Sequence, residues 1–189
     1  MITNMKNKYH TKRNDIKLEG KRLYLRPVKI SDVTKVYVSW LNSKKINQYL
    51  ESRFSKHTLR SVTNYVQKIL KDHNVYFFSI ILKESSRHVG NIKLGPIDWN
   101  HKLGDIGIMI GDKNSWGKGY ATEAINLLVD FAFDQLNLHK LTAGSYKNNI
   151  GSIKAFQKAD FIKESYRKKH FFYNGKYIDL VMLAKFKTR

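Results

Sequence analysis

The sequence has 189 residues, 42% of them hydrophobic and 13% aromatic, which is enough apolar surface to fold one domain and too much for a disordered chain. It has no cysteine, and that excludes a disulfide framework, thiolate metal sites and a cysteine nucleophile. The formal charge of +20 draws anions of three kinds: a nucleic acid, an anionic membrane surface or a phosphorylated small molecule. The lysines are scattered with no run of five like charges, so charge alone selects none of the three.

No apolar run reaches the roughly 20 residues that span a bilayer, and the first residues lack the apolar core of a signal peptide. The expected location is the cytoplasm, with no membrane partner. Residues 1–17 are polar, basic and without period, and are expected to form a mobile tail. Residues 18–189 are expected to form a single domain.

Along that domain, Leu23 to Val28 alternates apolar and basic residues up to Pro27, which suits a strand near a sheet edge. Ser31-Asp32 offers an N-cap for a helix with Val33, Val36, Tyr37 and Trp40 on one face. A second helix is expected over about Thr58 to Lys71, with Val62, Tyr65, Val66 and Leu70 at helical spacing. Val75 to Leu82 and His88 to Leu94 flank a polar group as a hairpin does, and Asp105 to Ile110 completes an antiparallel meander.

Ala121 to Phe133 then carries one apolar stripe, the mark of an amphipathic helix. A strand (His139 to Ser145), a helix (about Ile150 to Lys158) and two last strands around Phe161 to Tyr173 and Tyr177 to Phe186 follow. The order βααβββαβαββ predicts an α+β fold, a mixed and mostly antiparallel sheet with helices on its faces.

One stretch carries chemistry. Ile106 to Ala124 runs from a strand through Asn114-Ser115-Trp116-Gly117-Lys118-Gly119-Tyr120-Ala121 into a helix. Two glycines permit backbone conformations closed to other residues, and the free N–H groups of the helix start face an anion. The spacing is neither that of a P-loop nor that of the dinucleotide fingerprint. On these residues alone, a phosphate cradle and a plain strand-to-helix loop both stand.

The whole segment resembles the GNAT superfamily of N-acetyltransferases, whose signature [QR]-x-x-G-x-[GA] lies between a strand and a helix. The nine residues Trp116 to Ala124, W-G-K-G-Y-A-T-E-A, resemble the branch that includes ribosomal-protein alanine acetyltransferases. Downstream, Asn149 to Phe161 resembles the family pattern N-x-x-S-I-x-x-x-x-K-x-G-F. Three positions depart from the family: Asn114 replaces Gln or Arg, Asp160 replaces glycine, and Phe156 replaces a tyrosine that protonates the departing thiolate in many members.

The resemblance implies acetyl-coenzyme A as co-substrate and no metal. Its pyrophosphate would lie on the amides of Trp116 to Ala121, with Asn114, Ser115 and Lys118 beside it, and its pantetheine arm would pair with the main chain of Ile108, Met109 and Ile110. Asn149 would contact that arm and Ser152 would approach the thioester sulfur, although both residues also cap helices. With no cysteine to carry an acetyl group, the expected reaction is direct transfer to a primary amine. Asp105 is the candidate base, acting through a water or standing only as a solvated carboxylate. Ser152 is the candidate acid, and a main-chain N–H near Ile108 or Met109 the oxyanion donor.

The acceptor is expected to be an amino sugar, free or nucleotide-linked, or a protein N-terminus. Polyamines and aminoglycosides rank last because a polycation approaches this protein against its field. Trp40, Tyr49, Glu51 and Arg53 are the candidate acceptor-binding residues, with core packing the other role for Trp40 and Tyr49. A homodimer is compatible with the resemblance. The reading from a different class is an inactive basic module for nucleic acid on the same fold. Lys168 to Tyr173 mixes basic and aromatic residues without any recognisable nucleic-acid motif, so nucleic acid is not the expected partner.

Overall fold

The structure, a computed structural model, describes residues 15–188. One eight-stranded sheet runs through it in the order β1-β2-β3-β4-β5-β6-β8-β7. Its strands are β1 (Leu18–Glu19), β2 (Leu23–Pro27), β3 (Tyr76–Leu82), β4 (His88–Asp98), β5 (Leu103–Ile110), β6 (Lys140–Tyr146), β7 (Ile162–Tyr173) and β8 (Lys176–Phe186). The helices are α1 (Lys35–Asn42), α2 (Lys44–Asn47), α3 (Leu59–Lys71), α4 (Tyr120–Asp130) and α5 (Ile150–Gln157). The α+β architecture expected from the sequence is the one observed, with the short β1 and α2 added.

Two apolar layers hold it together. On one face of the sheet, Ala124, Ile125, Leu128 and Val129 of α4 pack with Ile153 and Phe156 of α5 against Leu25, Ile80, Ile92 and Leu141. On the other face, Tyr37 and Trp40 of α1 meet Val62 and Val66 of α3 over Val28, with Phe77 and Met109 at the margin. Ile16 and Leu18 are buried in the first layer, so the packed domain begins before the boundary at residue 18. Residues 1–14 of the expected tail lie outside the described residues.

Local chemistry sets the element ends. Thr58 Oγ1 accepts from the Ser61 amide and Ser61 Oγ accepts from the Thr58 amide, a reciprocal cap that starts α3. The expected cap at Ser31-Asp32 lies elsewhere: Thr34 caps α1, its hydroxyl accepting from the Tyr37 amide. Asp32 is drawn off by tertiary partners, a forked pair with Arg26 at 2.6 and 2.7 Å and the Ser79 hydroxyl at 2.9 Å. Asn174 and Gly175 both take positive φ, 48° and 79°, and close the β7–β8 hairpin; Asp160 adopts the left-handed conformation at φ 63°.

What positions the site is a fault in the sheet. The connection from β5 through α4 makes β6 parallel to β5, and that ladder has three pairs, ending at Asp105 with Thr142. Beyond it, β5 continues to Ile110 paired with β4, while β6 continues to Tyr146 paired with β8. The two strands part and leave a wedge between them.

Candidate active site

A cleft of about 750 Å³ occupies that wedge. It is lined by Ile106 to Ile110 of β5, Gly144 to Tyr146 of β6, the glycine turn, one side of α5 and the segment from Lys45 to Glu51. The Gly111 amide donates to Val89 of β4. Strand alternation therefore turns the main-chain polar groups of Ile106, Ile108 and Ile110 toward β6 and into the cleft. The carbonyl of Ile110 already accepts from the Trp116 indole at 2.8 Å, which ties the turn to the strand.

The turn is built for close approach to backbone. Gly117 and Gly119 take φ of 74° and 79°, and Gly119 is the N-cap of α4. A methyl group built on Gly117 would meet nothing within 4 Å, so conformation rather than crowding requires glycine there. The helix start, with its free amides and positive end, faces the cleft.

Two ion pairs brace this turn from outside. Arg22 donates from its main-chain amide and Nε to Glu123 at 2.7 and 2.8 Å, sends Nη1 to the carbonyl of Lys118 at 2.7 Å, and lies 4.8 Å over the Tyr120 ring. Burial works to raise the Glu123 carboxyl, but the bonds from Arg22 and Leu23 outweigh it and hold the group below its ordinary range. At the other end, Asp112 caps the short turn Lys113–Ser115, accepting from the Asn114 amide and the Ser115 hydroxyl, and Arg87 reaches it at 3.1 Å.

Behind the turn, Asn149 caps α5 by accepting from the Ser152 amide at 3.3 Å, and both residues line the cleft. Thr122 of α4 donates to the carbonyl of Ala155, fixing the two helices to each other. Phe156 lines the cleft from a buried position, its ring edge-on to Phe161 at 5.1 Å.

The opposite end of the cleft is aromatic with one carboxylate. Tyr146, the last residue of β6, stacks flat on Phe171 at 3.9 Å and donates its hydroxyl to Glu51 at 2.5 Å. Burial first, and then the bond to Glu51, push the Tyr146 phenol up to about 12, so it holds its proton at neutral pH. Tyr49 lies 5.5 Å from Tyr146 and stacks on Tyr173 at 5.4 Å, and the Tyr173 hydroxyl donates to Gln48. Arg53 holds this wall from behind, bonded to the carbonyls of Leu50 and Phe172, with its guanidinium 5.1 Å from the Tyr146 ring.

Asp105 sits at the closed end of the wedge, on the same sheet face as this aromatic wall. Its Oδ2 accepts from the Thr142 hydroxyl at 2.9 Å. Burial raises its carboxyl above the ordinary carboxylate range, against the Thr142 bond and the Lys93 ammonium, which pull it down. Asp105 is not part of the cleft lining, which begins at Ile106 and Lys93.

The cleft thus gathers Ile108, Met109, Ile110, Ser115, Trp116, Gly117, Gly119, Tyr120, Ala121, Asn149, Ser152, Tyr49 and Glu51. Asn114, Lys118 and Arg53 stand outside its lining. Trp40 is corrected from acceptor wall to core: it is buried, its ring 5.2 Å from His88 and 5.8 Å from Tyr37, and it fills the space over Gly111. Arg22, Tyr146 and Phe171 were not among the residues expected from sequence. Their partners lie about a hundred residues away for Arg22 and Tyr146, and no local pattern marks them.

This parted sheet, with a glycine turn at the start of the helix that follows, defines an acetyltransferase of the GNAT class. The chain belongs to that family, whose acetyltransferase (GNAT) domain matches residues 22–162. It is 32% identical over 178 residues to the probable N-acetyltransferase YjcK of Bacillus subtilis, covering 88% of this chain and 95% of that protein. Among solved structures, RimL, a ribosomal-protein alpha-N-acetyltransferase in complex with coenzyme A, superposes with a TM-score of 0.82 at 18% identity, over 90% of this chain and 98% of the other. The spermidine N-acetyltransferase of Vibrio cholerae, in complex with coenzyme A and spermine, gives 0.78 at 23% identity, over 87% and 95%. At these identities the two structures establish a common fold.

Proposed function

We propose that this N-acetyltransferase takes the acetyl group of acetyl-coenzyme A and moves it directly to the amine of an amino sugar, free or nucleotide-linked. The observation that carries the reading is the cleft itself: an amide-lined glycine turn at one end, and at the other aromatic faces around a single carboxylate.

Acetyl-coenzyme A supplies the activated acetyl thioester. The amides of Trp116 to Ala121 hold its pyrophosphate, and Ile108 to Ile110 pair with the pantetheine arm by their main chain, as an added strand does. The alternation that turns the Ile108 N–H into the wedge favours Ile108 over Met109 as donor to the carbonyl oxygen, where negative charge develops. In this reading the thiolate leaves beside Asn149 and Ser152, both of which line the cleft, and because Phe156 has no dissociable proton, Ser152 is the donor to it. Asp105 receives the amine's proton through water along the acceptor face. Burial raises its pKa, which makes it a stronger base than an ordinary carboxylate.

At the acceptor end, Tyr49 offers a flat apolar face to a sugar ring, the stacked pair of Tyr146 and Phe171 backs it, and Glu51 attracts the ammonium. Lys45 and Lys93 line the same cleft, and their charge favours an acceptor that also carries phosphate. A protein N-terminus is the second reading, supported by the fold shared with RimL. A screen that follows release of free coenzyme A across amino sugars, nucleotide amino sugars, N-terminal peptides and polyamines tests both. The highest kcat/KM is expected for a sugar; preference for a peptide would move the assignment to the second reading, and release with no amine would reject both.

A further inference from the structure

Gly107 and Gly144 occupy matching positions, each two residues beyond the last β5–β6 pair, Asp105 with Thr142. The hydroxyl of Thr142 reaches the carboxylate of Asp105, so these two side chains share a face of the sheet. Strand alternation returns positions 107 and 144 to that same face. It is the face of Tyr146, Glu51 and Tyr49, whereas Ile106 and Ile108 point the other way, into the layer under α4.

Both glycines line the cleft, and both are exposed. A methyl group added at Gly107 would meet nothing within 4 Å. At Gly144 it would come to 3.2 Å from Leu180 and 3.8 Å from Met182. Neither glycine has the positive φ that would require glycine for the backbone's sake. A strand interior is a poor place for glycine, and an empty Cβ position facing open space is a sign that something approaches the backbone there.

The geometry points to an aperture: Gly107 and Gly144 are the two jambs of a gap through the parted sheet, and Gly107 sets the width of the amine that can reach the acetyl group. This rests on the proposed function, in which the thioester lies on the α4 and α5 side and the acceptor arrives from the α1 and α2 side. Through the gap the amine nitrogen bonds to the acetyl carbon, the carbon–sulfur bond breaks, coenzyme A leaves as thiolate, and the nitrogen gives up a proton.

The test needs no knowledge of the natural acceptor. Hydroxylamine is a small nucleophile that cleaves thioesters to a hydroxamate, so it probes access to bound acetyl-coenzyme A. With protein in excess, hydroxamate formation is compared for wild type, Gly107→Ala and Gly107→Val, alongside titration of acetyl-coenzyme A into each. Valine suits a strand and its Cβ would meet nothing within 4 Å, so all three are expected to fold and to bind acetyl-coenzyme A within about twofold of one another. Hydroxamate formation should fall in the order wild type, alanine, valine, with a loss of about tenfold or more for valine. Equal rates in all three, with binding intact, would overturn the aperture and leave the proposed function standing. Failure of the wild type to bind acetyl-coenzyme A would overturn both.

Discussion

Arg22 and Glu123 are 101 residues apart in sequence, yet Glu123 takes two hydrogen bonds from Arg22, one from its amide and one from its side chain. A third, from the same guanidinium to the carbonyl of Lys118, fixes the middle of the glycine turn. Arg22 is therefore a positioning residue for the turn, and it adds a positive charge beside the proposed pyrophosphate site. Replacing it with alanine is expected to raise the dissociation constant for coenzyme A about tenfold. Lys118→Ala should do less, because the carbonyl of residue 118 is engaged and its side chain stands outside the cleft lining. Calorimetric titration of both variants checks the ranking.

Asp105 links pH to stability and, as the proposed base, to activity. Its carboxyl is raised in the folded protein, so its ionisation opposes folding: wild-type stability is greatest below the ordinary carboxylate pKa and declines as pH climbs through the raised one. Asp105→Asn removes that cost and can still accept from Thr142. The variant is expected to melt higher than wild type at pH 7, with the gain vanishing at acid pH. Its turnover at neutral pH should fall by about a hundredfold if the carboxylate takes the amine's proton. Melting curves and pH-rate profiles on the same samples separate the two effects.

Tyr146 and Glu51 are bonded to each other at the proposed acceptor end of the cleft. Because the Tyr146 phenol stays protonated to about 12, Tyr146→Phe removes a hydrogen-bond donor and no charge, whereas Glu51→Gln removes the charge that attracts an ammonium. Glu51→Gln should raise the acceptor KM about tenfold and leave coenzyme A binding unchanged, with a smaller, few-fold rise for Tyr146→Phe. Initial rates at varied acceptor give the split.

The contact between Gly111 and Trp40 is a test of the second core. A methyl group at Gly111 would lie 2.0 Å from Trp40 Cδ2, inside a cluster that includes Tyr37 and His88. Gly111→Ala is expected to destabilise by about 2 kcal/mol, read as a melting temperature lower by roughly 4–8 °C.

Local signals were readable in the sequence and distant ones were not. The stripe of Ala124, Ile125 and Leu128 marks α4, and Asn174-Gly175 marks the last turn, because the physics of each is contained within a few residues. Asp32 has the chemistry of a helix cap, yet Arg26 and Ser79 claim it, and Ser79 lies 47 residues away. Trp40 and Tyr49 have the same kind of side chain, and only packing sends one to the core and the other to the cleft. The parting of β5 and β6 depends on which strands pair, a matter no single segment states. The glycine turn was legible because glycine at 117 and 119 is a local conformational demand.

That turn also carries the most direct test. Acetyl-coenzyme A titrated into wild type and into the double variant Gly117→Ala with Gly119→Ala compares the left-handed turn with one that alanine strains at both positions. The wild type is expected to bind one equivalent, and the variant to keep its fold by circular dichroism while losing about tenfold or more in affinity. Equal affinity in the two proteins would contradict the placement of the coenzyme on this turn.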